Sequence, residues 1–172
     1  KGWQVNLFVY KLFVYKVMAD TSLAEKKIGM LIWLASNFWQ SKLRLILKKH
    51  NFSLNEYLIL ESISSLVIKN ELISQVNISS YAGIDVSVVS TSLKSLEKKL
   101  MVKKIIDKDN RIKIIKMLPE GSKIFNILYP LIISEEEKIF NKLQDEKNNF
   151  TNSLRLILGR KIRIRLNNKI WL

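Results

Sequence analysis

Residues 86–98 place hydroxyl and lysine side chains opposite an apolar stripe. At helical spacing, one face holds Val86, Val89, Leu93, Leu96 and Leu100. The opposite face holds Ser87, Thr91, Lys94 and Lys98, with Val88, Ser90 and Ser95 at its edges. Small hydroxyls near a helix N-terminus suit base edges in a major groove, and lysines further along suit phosphates. The pattern favours a DNA-reading helix, although a polar surface helix without a partner stays open.

The stretch after this helix predicts a basic β-hairpin. After Leu100 the apolar period becomes two, and the polar cluster Asp107–Asn110 marks a turn. Eight basic side chains, at positions 98, 99, 103, 104, 108, 111, 113 and 116, face two acidic ones, at positions 107 and 109. Arg111 beside the tip suits a narrow minor groove, where negative potential is concentrated, and Asp109 would steady its guanidinium group.

The predicted DNA contacts come from the α-helix at residues 86–98, from the hairpin and from the start of a short helix before them. They are Ser74, Gln75, Ser87, Val88, Ser90, Thr91, Lys94, Lys98, Lys103, Lys108, Asn110 and Arg111. Val88 suits a thymine methyl group, whereas the lysines suit phosphates.

Local signals predict the elements that hold these residues. Capping boxes at Ser22–Glu25 and Ser53–Glu56 start two helices, the first ending near Lys49 and the second near Val67. Two short helices and the hairpin follow. Pro119 suits the first turn of a further helix to about Leu143, and a last helix spans residues 146–158. The predicted fold class is mainly α with a small β-hairpin wing.

Composition narrows the chemistry. The net charge of +14 favours a polyanionic partner, because each basic group near a phosphate displaces a condensed counterion. The chain has no cysteine and a single histidine, His50, which excludes thiolate metal sites and a Ser-His-Asp triad. No phosphate-cradling glycine loop and no nucleophile–base pair is recognisable. We therefore expect no enzyme activity, no cofactor and no metal.

Residues 52–147 resemble the MarR (multiple-antibiotic-resistance regulator) family of winged helix-turn-helix transcription regulators. The resemblance rests on the order and spacing of several segments: Phe52–Leu60, Ile78–Gly83, Ile84–Ser90, Leu96-Glu97, Asp109-Asn110-Arg111, Met117–Gly121 and Leu143–Lys147. It departs from the family pattern at Thr91, where a basic residue is common in the recognition helix. It also departs at Leu100, in place of a turn glycine, and at Leu118, in place of a capping threonine. If Leu100 adopts a positive φ, the cost is on the order of 1 kcal/mol.

The resemblance implies a cytoplasmic homodimer that binds double-stranded DNA. It implies a winged helix-turn-helix lobe at residues 52–118, flanked by helical dimerisation regions at 18–51 and 119–172. Residues 1–17, which repeat Leu-Phe-Val-Tyr-Lys in tandem, would form an N-terminal extension of unknown state. It also implies a repressor released by a small aromatic or anionic ligand, for which Trp39, Lys42 and Tyr57 are candidate contacts.

Two other functions stay open. The first is a basic architectural or partner-docking winged-helix protein without an effector, which the high charge and Thr91 favour. The second is binding of the terminal segments to a membrane surface, because residues 7–15 and 161–172 mix basic and apolar side chains. A membrane-spanning role is not expected, because Lys11 and Lys16 interrupt an apolar stretch that is too short.

Overall fold

The computed structural model describes residues 21–106 and 113–159. The predicted extension at residues 1–17, the tail after Gly159 and the hairpin tip with Lys108, Asn110 and Arg111 lie outside the described residues. The chain divides into two compact units, residues 1–45 and residues 46–172, and each is described by itself.

The elements follow the predicted order. They are α1 (Thr21–Ala24), α2 (Ile28–Lys49), α3 (Leu54–Ile68), α4 (Gln75–Ala82), α5 (Val86–Lys98), β1 (Val102–Ile106), β2 (Lys113–Met117), α6 (Pro119–Phe140), a 3-10 helix (Asn141–Glu146) and α7 (Lys147–Ile157). This confirms a mainly α fold with a two-stranded hairpin. None of the helices described is long and apolar enough to cross a membrane.

The first helix differs from its prediction. The capping-box segment at Ser22 begins only the single turn α1, and the continuous helix begins at Ile28. The amide of Lys26 donates to the Leu23 carbonyl at 3.2 Å, and that of Met30 donates to the Lys27 carbonyl at 2.9 Å. The first bond closes α1 and the second opens α2, so a local capping signal starts a helix without setting its length.

In the first unit, α2 leaves much of its apolar surface in solvent. Ile28 is 73% exposed and Trp33 is 63% exposed. The other large apolar side chains exposed between residues 28 and 45 are Met30, Leu31, Ile32, Leu34, Phe38 and Leu45. Contiguous exposed apolar surface on this scale is typical of an interaction site.

The core of the second unit is centred on α3. This helix buries Tyr57, Ile59, Leu60, Ile63 and Leu66, and it packs against α4, α5, α6 and β2. The side chains buried in this core from α5 and α6 are Val89, Leu93, Leu96, Phe125, Leu128 and Ile132. Each buried aliphatic side chain contributes about 1.5–3 kcal/mol relative to solvent exposure. The core therefore fixes α5 by its apolar stripe and leaves the opposite face outward.

A tight junction joins α5, the hairpin and α6. Leu100 has φ = 57°, so the condition under which its side chain costs on the order of 1 kcal/mol is met. Leu118 precedes Pro119 and makes no side-chain capping bond, as predicted, while its amide donates to the Met101 carbonyl at 2.8 Å. Gly121 lies so close to the Met101 carbonyl that a Cβ atom at this position would overlap it. The glycine is required here for close approach of α6.

The hairpin is antiparallel, with Val102 opposite Met117 and Ile106 opposite Lys113. Strand β2 is also attached to the segment before α4, because the Ile115 amide donates to the Ile73 carbonyl at 2.7 Å and Ser74 bridges to Ile114. The wing is thereby tied to the start of the helix-turn-helix.

Candidate nucleic-acid interface

Capping interactions set the directions of α4 and α5. The Ser74 hydroxyl accepts from the Asn77 amide at 3.1 Å, and Gly83 ends α4 in the left-handed conformation at φ = 65°. The Asp85 carboxylate accepts from the Ser87 amide at 2.7 Å and so caps α5. The Gln75 amide group donates to the Val86 carbonyl at 3.1 Å. Of these two predicted DNA contacts, Ser74 therefore caps α4, and Gln75 joins α4 to the start of α5.

The predicted contacts on α5 share an exposed face. We call Ser87, Val88, Thr91, Lys94 and Lys98 the reading face, and all five are exposed. Val89, Leu93 and Leu96 on the other side are completely buried. Ser90 is half-buried at the edge. The prediction holds for the middle of the apolar stripe, whereas Val86 and Leu100 at its two ends are 42% and 69% exposed.

The hydroxyl groups of the reading face have internal acceptors. Ser87 Oγ donates to the Asp85 carboxylate at 2.5 Å, and Thr91 Oγ1 donates to the Ser87 carbonyl at 3.1 Å. The hydrogen bonds from the Ser87 side chain and amide hold the pKa of Asp85 below its usual range. Each hydroxyl oxygen keeps lone pairs that can accept from the amino groups of adenine or cytosine.

Two lysines face each other across the hairpin. Lys103 lies directly opposite Lys116, and both side chains are exposed. We call them the wing lysine pair. Like charges opposite each other destabilise a hairpin by roughly 0.2–1 kcal/mol, and a polyanion would relieve that repulsion. On α5, neither Lys94 nor Lys98 forms an ion pair with any residue that the structure describes.

Two other lysines of the predicted basic region are engaged internally. Lys104 Nζ lies 2.9 Å from the Glu97 carboxylate, which ties β1 to α5. Lys99 Nζ lies 2.8 Å from Glu56 and also donates to the Asn51 carbonyl at 2.8 Å. The count of eight basic side chains therefore overstates the charge available to a polyanion, because sequence spacing does not show which lysines have acidic partners from other elements.

Sequence reasoning missed the role of Glu56. The capping box with Ser53 is present as predicted, with the Ser53 amide donating to Glu56 at 2.8 Å. Its carboxylate also accepts from Ser95 Oγ of α5 at 2.7 Å. Burial acts to raise the pKa of Glu56, but the hydrogen bonds from Lys99, Ser53 and Ser95 outweigh it and hold that pKa below its usual range. The sequence indicated only the capping role of Glu56 toward Ser53. Its contacts with Ser95 and Lys99 had no sequence signal.

The candidate ligand contacts belong to different units. Trp39 and Lys42 lie in the first unit, where Lys42 Nζ is 5.4 Å from the centre of the Phe38 ring. Tyr57 lies in the second unit, fully buried and stacked on Phe125 with ring centres 6.2 Å apart. Burial raises the pKa of Tyr57, and the carboxylates of Glu61 and Glu136 raise it further. The surroundings of Tyr57 are thus negatively charged.

Comparisons with known proteins agree with this geometry. No sequence-family profile matches the chain. An uncharacterised HTH-type transcriptional regulator, YdcH of Bacillus subtilis, is 24% identical over 132 residues, which are 76% of this chain and 88% of YdcH. Staphylococcus aureus MepR, solved in complex with DNA, aligns with a TM-score of 0.68 at 18% identity, covering 77% of this chain and 95% of MepR.

Rhodococcus jostii CouR, solved with p-coumaroyl-CoA, aligns with a TM-score of 0.66 at 19% identity, covering 77% of this chain and 92% of CouR. Solved regulators of the MarR family from other bacteria also align. The chain has the winged-helix fold of the MarR family. The resemblance drawn from the sequence motifs is confirmed at the level of this MarR-type fold. The Bacillus subtilis relative and the MarR-family neighbours are named as transcription regulators, which accords with the expectation that this chain is not an enzyme.

Proposed function

We propose that this chain is a DNA-binding transcription regulator that reads a major groove with α5. The observation that carries the proposal is the reading face, because α5 is fixed by a buried stripe and two capped ends while five contact-type side chains stay exposed. The wing lysine pair adds a cationic surface on the adjoining hairpin. The known DNA complex of MepR, which has the same fold, supports this assignment.

We propose that two chains act together. The exposed apolar side chains of α2 and α7 support a dimer, because no described helix covers residues such as Trp33 or Leu156, which are 63% and 66% exposed. Two recognition helices about one DNA turn apart, roughly 34 Å, demand an approximately palindromic site. Residues 18–51 and 119–172 are the proposed dimerisation regions, and 52–118 the DNA-binding lobe.

We further propose that the regulator is a cytoplasmic repressor whose DNA affinity falls when a small aromatic ligand binds. A ligand acts in this way only if it binds one dimer geometry better than the other. The complex of CouR with p-coumaroyl-CoA supports an aromatic effector. Lys42 is the proposed contact for an anionic group and Trp39 for an aromatic ring, whereas Tyr57 is fully buried and stacked on Phe125.

Selection from random DNA tests the function. The wild-type chain is expected to enrich a palindromic sequence that it binds at least about a thousandfold more tightly than random DNA at stated salt. Ser87→Ala and Thr91→Ala are expected to change the preferred bases at a cost of about 1–3 kcal/mol each for a base contact. Arg111→Ala and Lys116→Ala are expected to weaken all sequences alike and to lower the salt slope by about one unit each.

An architectural role without sequence preference is the second candidate. Thr91 favours it, because its hydroxyl donates within α5 and it brings no cation to a base. A specificity ratio near one, with equal losses from Ser87→Ala and Lys116→Ala, would establish this alternative. It would contradict the proposed regulator.

A further inference from the structure

The buried carboxylate of Glu56 connects the N-terminal end of α3 to the C-terminal end of α5. Glu56 is 5% exposed, and its oxygens accept hydrogen bonds from the N-cap of α3 and from two residues at the end of α5. These are the Ser53 amide at 2.8 Å, Ser95 Oγ at 2.7 Å and Lys99 Nζ at 2.8 Å. A buried carboxylate with this many donors is held in one geometry, because each lost bond exposes a charge to an apolar environment.

Lys99, whose side chain is 28% exposed, makes two contacts besides the one with Glu56. Its ammonium group donates to the Asn51 carbonyl at 2.8 Å and lies 4.5 Å from the centre of the Phe52 ring. Asn51 has φ = 60°, a left-handed conformation that asparagine adopts more readily than most residues other than glycine. Lys99 follows the last turn of α5, so these contacts fix the end of that helix.

Ser95 and Lys99 are four residues apart and therefore lie on one face of α5. The reading-face residues Thr91 and Lys98 are their sequence neighbours at helical spacing, so a rotation of α5 that broke the Glu56 contacts would also move them. The apolar stripe holds α5 against the core. Apolar contacts are not directional, so they define the rotation and the axial position of the helix less sharply than hydrogen bonds do. Hydrogen bonds to one carboxylate define both the rotation and the axial position of the helix.

We infer that Glu56 is a positioning residue for DNA recognition. It sets the rotation of α5 through Ser95 and Lys99, and it reserves Lys99 for this role instead of a phosphate contact. The inference rests on the proposed function, because it requires that α5 reads DNA. It assigns specificity to a pair of residues, Glu56 and Lys99, that need not touch a base.

A double-mutant cycle on the full-length chain tests the inference. The variants are Glu56→Gln, Lys99→Met and the combined Glu56→Gln/Lys99→Met, all measured for the ratio of affinity for the selected sequence to that for random DNA. Each single change is expected to lower that ratio by roughly three- to thirtyfold. The combined change is expected to lower it no more than the larger single loss, because both changes remove the same contact.

Two control variants separate positioning from loss of stability. Glu97→Gln breaks the other ion pair of α5, to Lys104, which is attached to the hairpin and not to α3. Ile132→Val removes a buried methylene group from α6 and costs about 0.5–1.5 kcal/mol of stability. Both are expected to keep the wild-type specificity ratio within about twofold. Free-energy effects of distant, independent substitutions are additive to within roughly this factor.

The possible outcomes are distinct. An unchanged specificity ratio in folded Glu56→Gln would overturn the inference, as would a loss of specificity in Ile132→Val as large as that in Glu56→Gln. If Lys99→Met alone fails to fold, the combined variant, which carries no buried unpaired charge, completes the test against Glu56→Gln. A wild-type chain that binds selected and random DNA equally well would instead overturn the proposed function. That measurement uses the wild-type chain alone, so the two failures can be told apart.

Discussion

The winged-helix lobe and the first part of α2 differ in how they bury apolar residues. In the lobe, α5 buries Val89, Leu93 and Leu96 completely. In α2, Ile28 and Trp33 remain 73% and 63% exposed although the helix is equally regular. The lobe is a core completed within one chain, whereas α2 leaves large apolar side chains exposed to solvent. This difference in burial is the basis of the proposed dimer surface.

The largest expected effect comes from placing a charge on the exposed apolar surface of α2. Trp33→Glu places a charge in the proposed dimer surface and is expected to raise the dimer dissociation constant by roughly a thousandfold, the weight of a central aromatic contact. Sedimentation equilibrium measures it. Val67→Glu is the matched control, because Val67 is 54% exposed on α3 within the lobe. A wild-type chain that is monomeric at micromolar concentration would contradict the dimer.

The next effect compares three glycines, at the start of α6, at the end of α4 and in α2. Gly121→Ala is expected to lower the free energy of unfolding by about 3 kcal/mol, because its Cβ would overlap the Met101 carbonyl. Gly83→Ala is expected to cost about 1 kcal/mol, since the position has φ = 65° but open space. Gly29→Ala in α2 is expected to be stabilising by up to about 1 kcal/mol. Urea titration checks this order, and equal effects at positions 121 and 83 would contradict the close approach.

Two glutamates of α3, Glu56 and Glu61, provide a third test, because their pKa values are shifted in opposite directions. The lowered pKa of Glu56 contributes stability that is present above the unfolded pKa near 4.5 and lost as pH falls through the folded value. Glu56→Gln is therefore expected to lose about 2 kcal/mol at pH 7 and to flatten the stability decline in acid.

Burial and the Glu136 carboxylate raise the pKa of Glu61. Its stabilising contribution is thus present below pH 4.5 and lost as pH rises through the folded value. Glu61→Gln is expected to increase the free energy of unfolding at pH 7. Chemical denaturation at pH 4 and pH 7 measures the free energy of unfolding of both variants. If both substitutions change that free energy in the same direction at pH 7, the proposed difference between the two carboxylates is wrong.

The smallest expected effect concerns the start of α6. Leu118 is the N-cap and makes no capping bond, so Leu118→Thr is expected to stabilise the lobe by about 1 kcal/mol. Leu118→Val, a β-branched residue of similar shape without a hydroxyl, is the control. Thermal unfolding measures both, and equal midpoints would show that a hydroxyl cannot reach the free amides of α6.

Local patterns predicted the parts of the fold that local physics decides. The period of the stripe at Val89, Leu93 and Leu96 predicted α5 and its exposed face. The motif departure at Leu118 coincides with a helix start that has no side-chain cap, and the departure at Leu100 coincides with a positive φ, for which only the cost was predicted. Contacts between distant segments were not predictable in this way. Lys99 lies 43 residues from Glu56, and nothing in the spacing distinguishes it from Lys98, which stays exposed.

The lysines of β1 have a further consequence for solubility. Among the described residues, β2 bonds to β1 on one side and to the Ile73–Ser74 segment on the other, whereas β1 pairs only with β2. The outer edge of β1 therefore presents unpaired backbone groups to which a strand of another molecule could add. Lys103 and Lys104 lie on this edge, and lysine on an edge strand opposes such addition through desolvation and charge repulsion. Replacing these lysines with apolar β-branched residues would thus convert the wing into a site of aggregation.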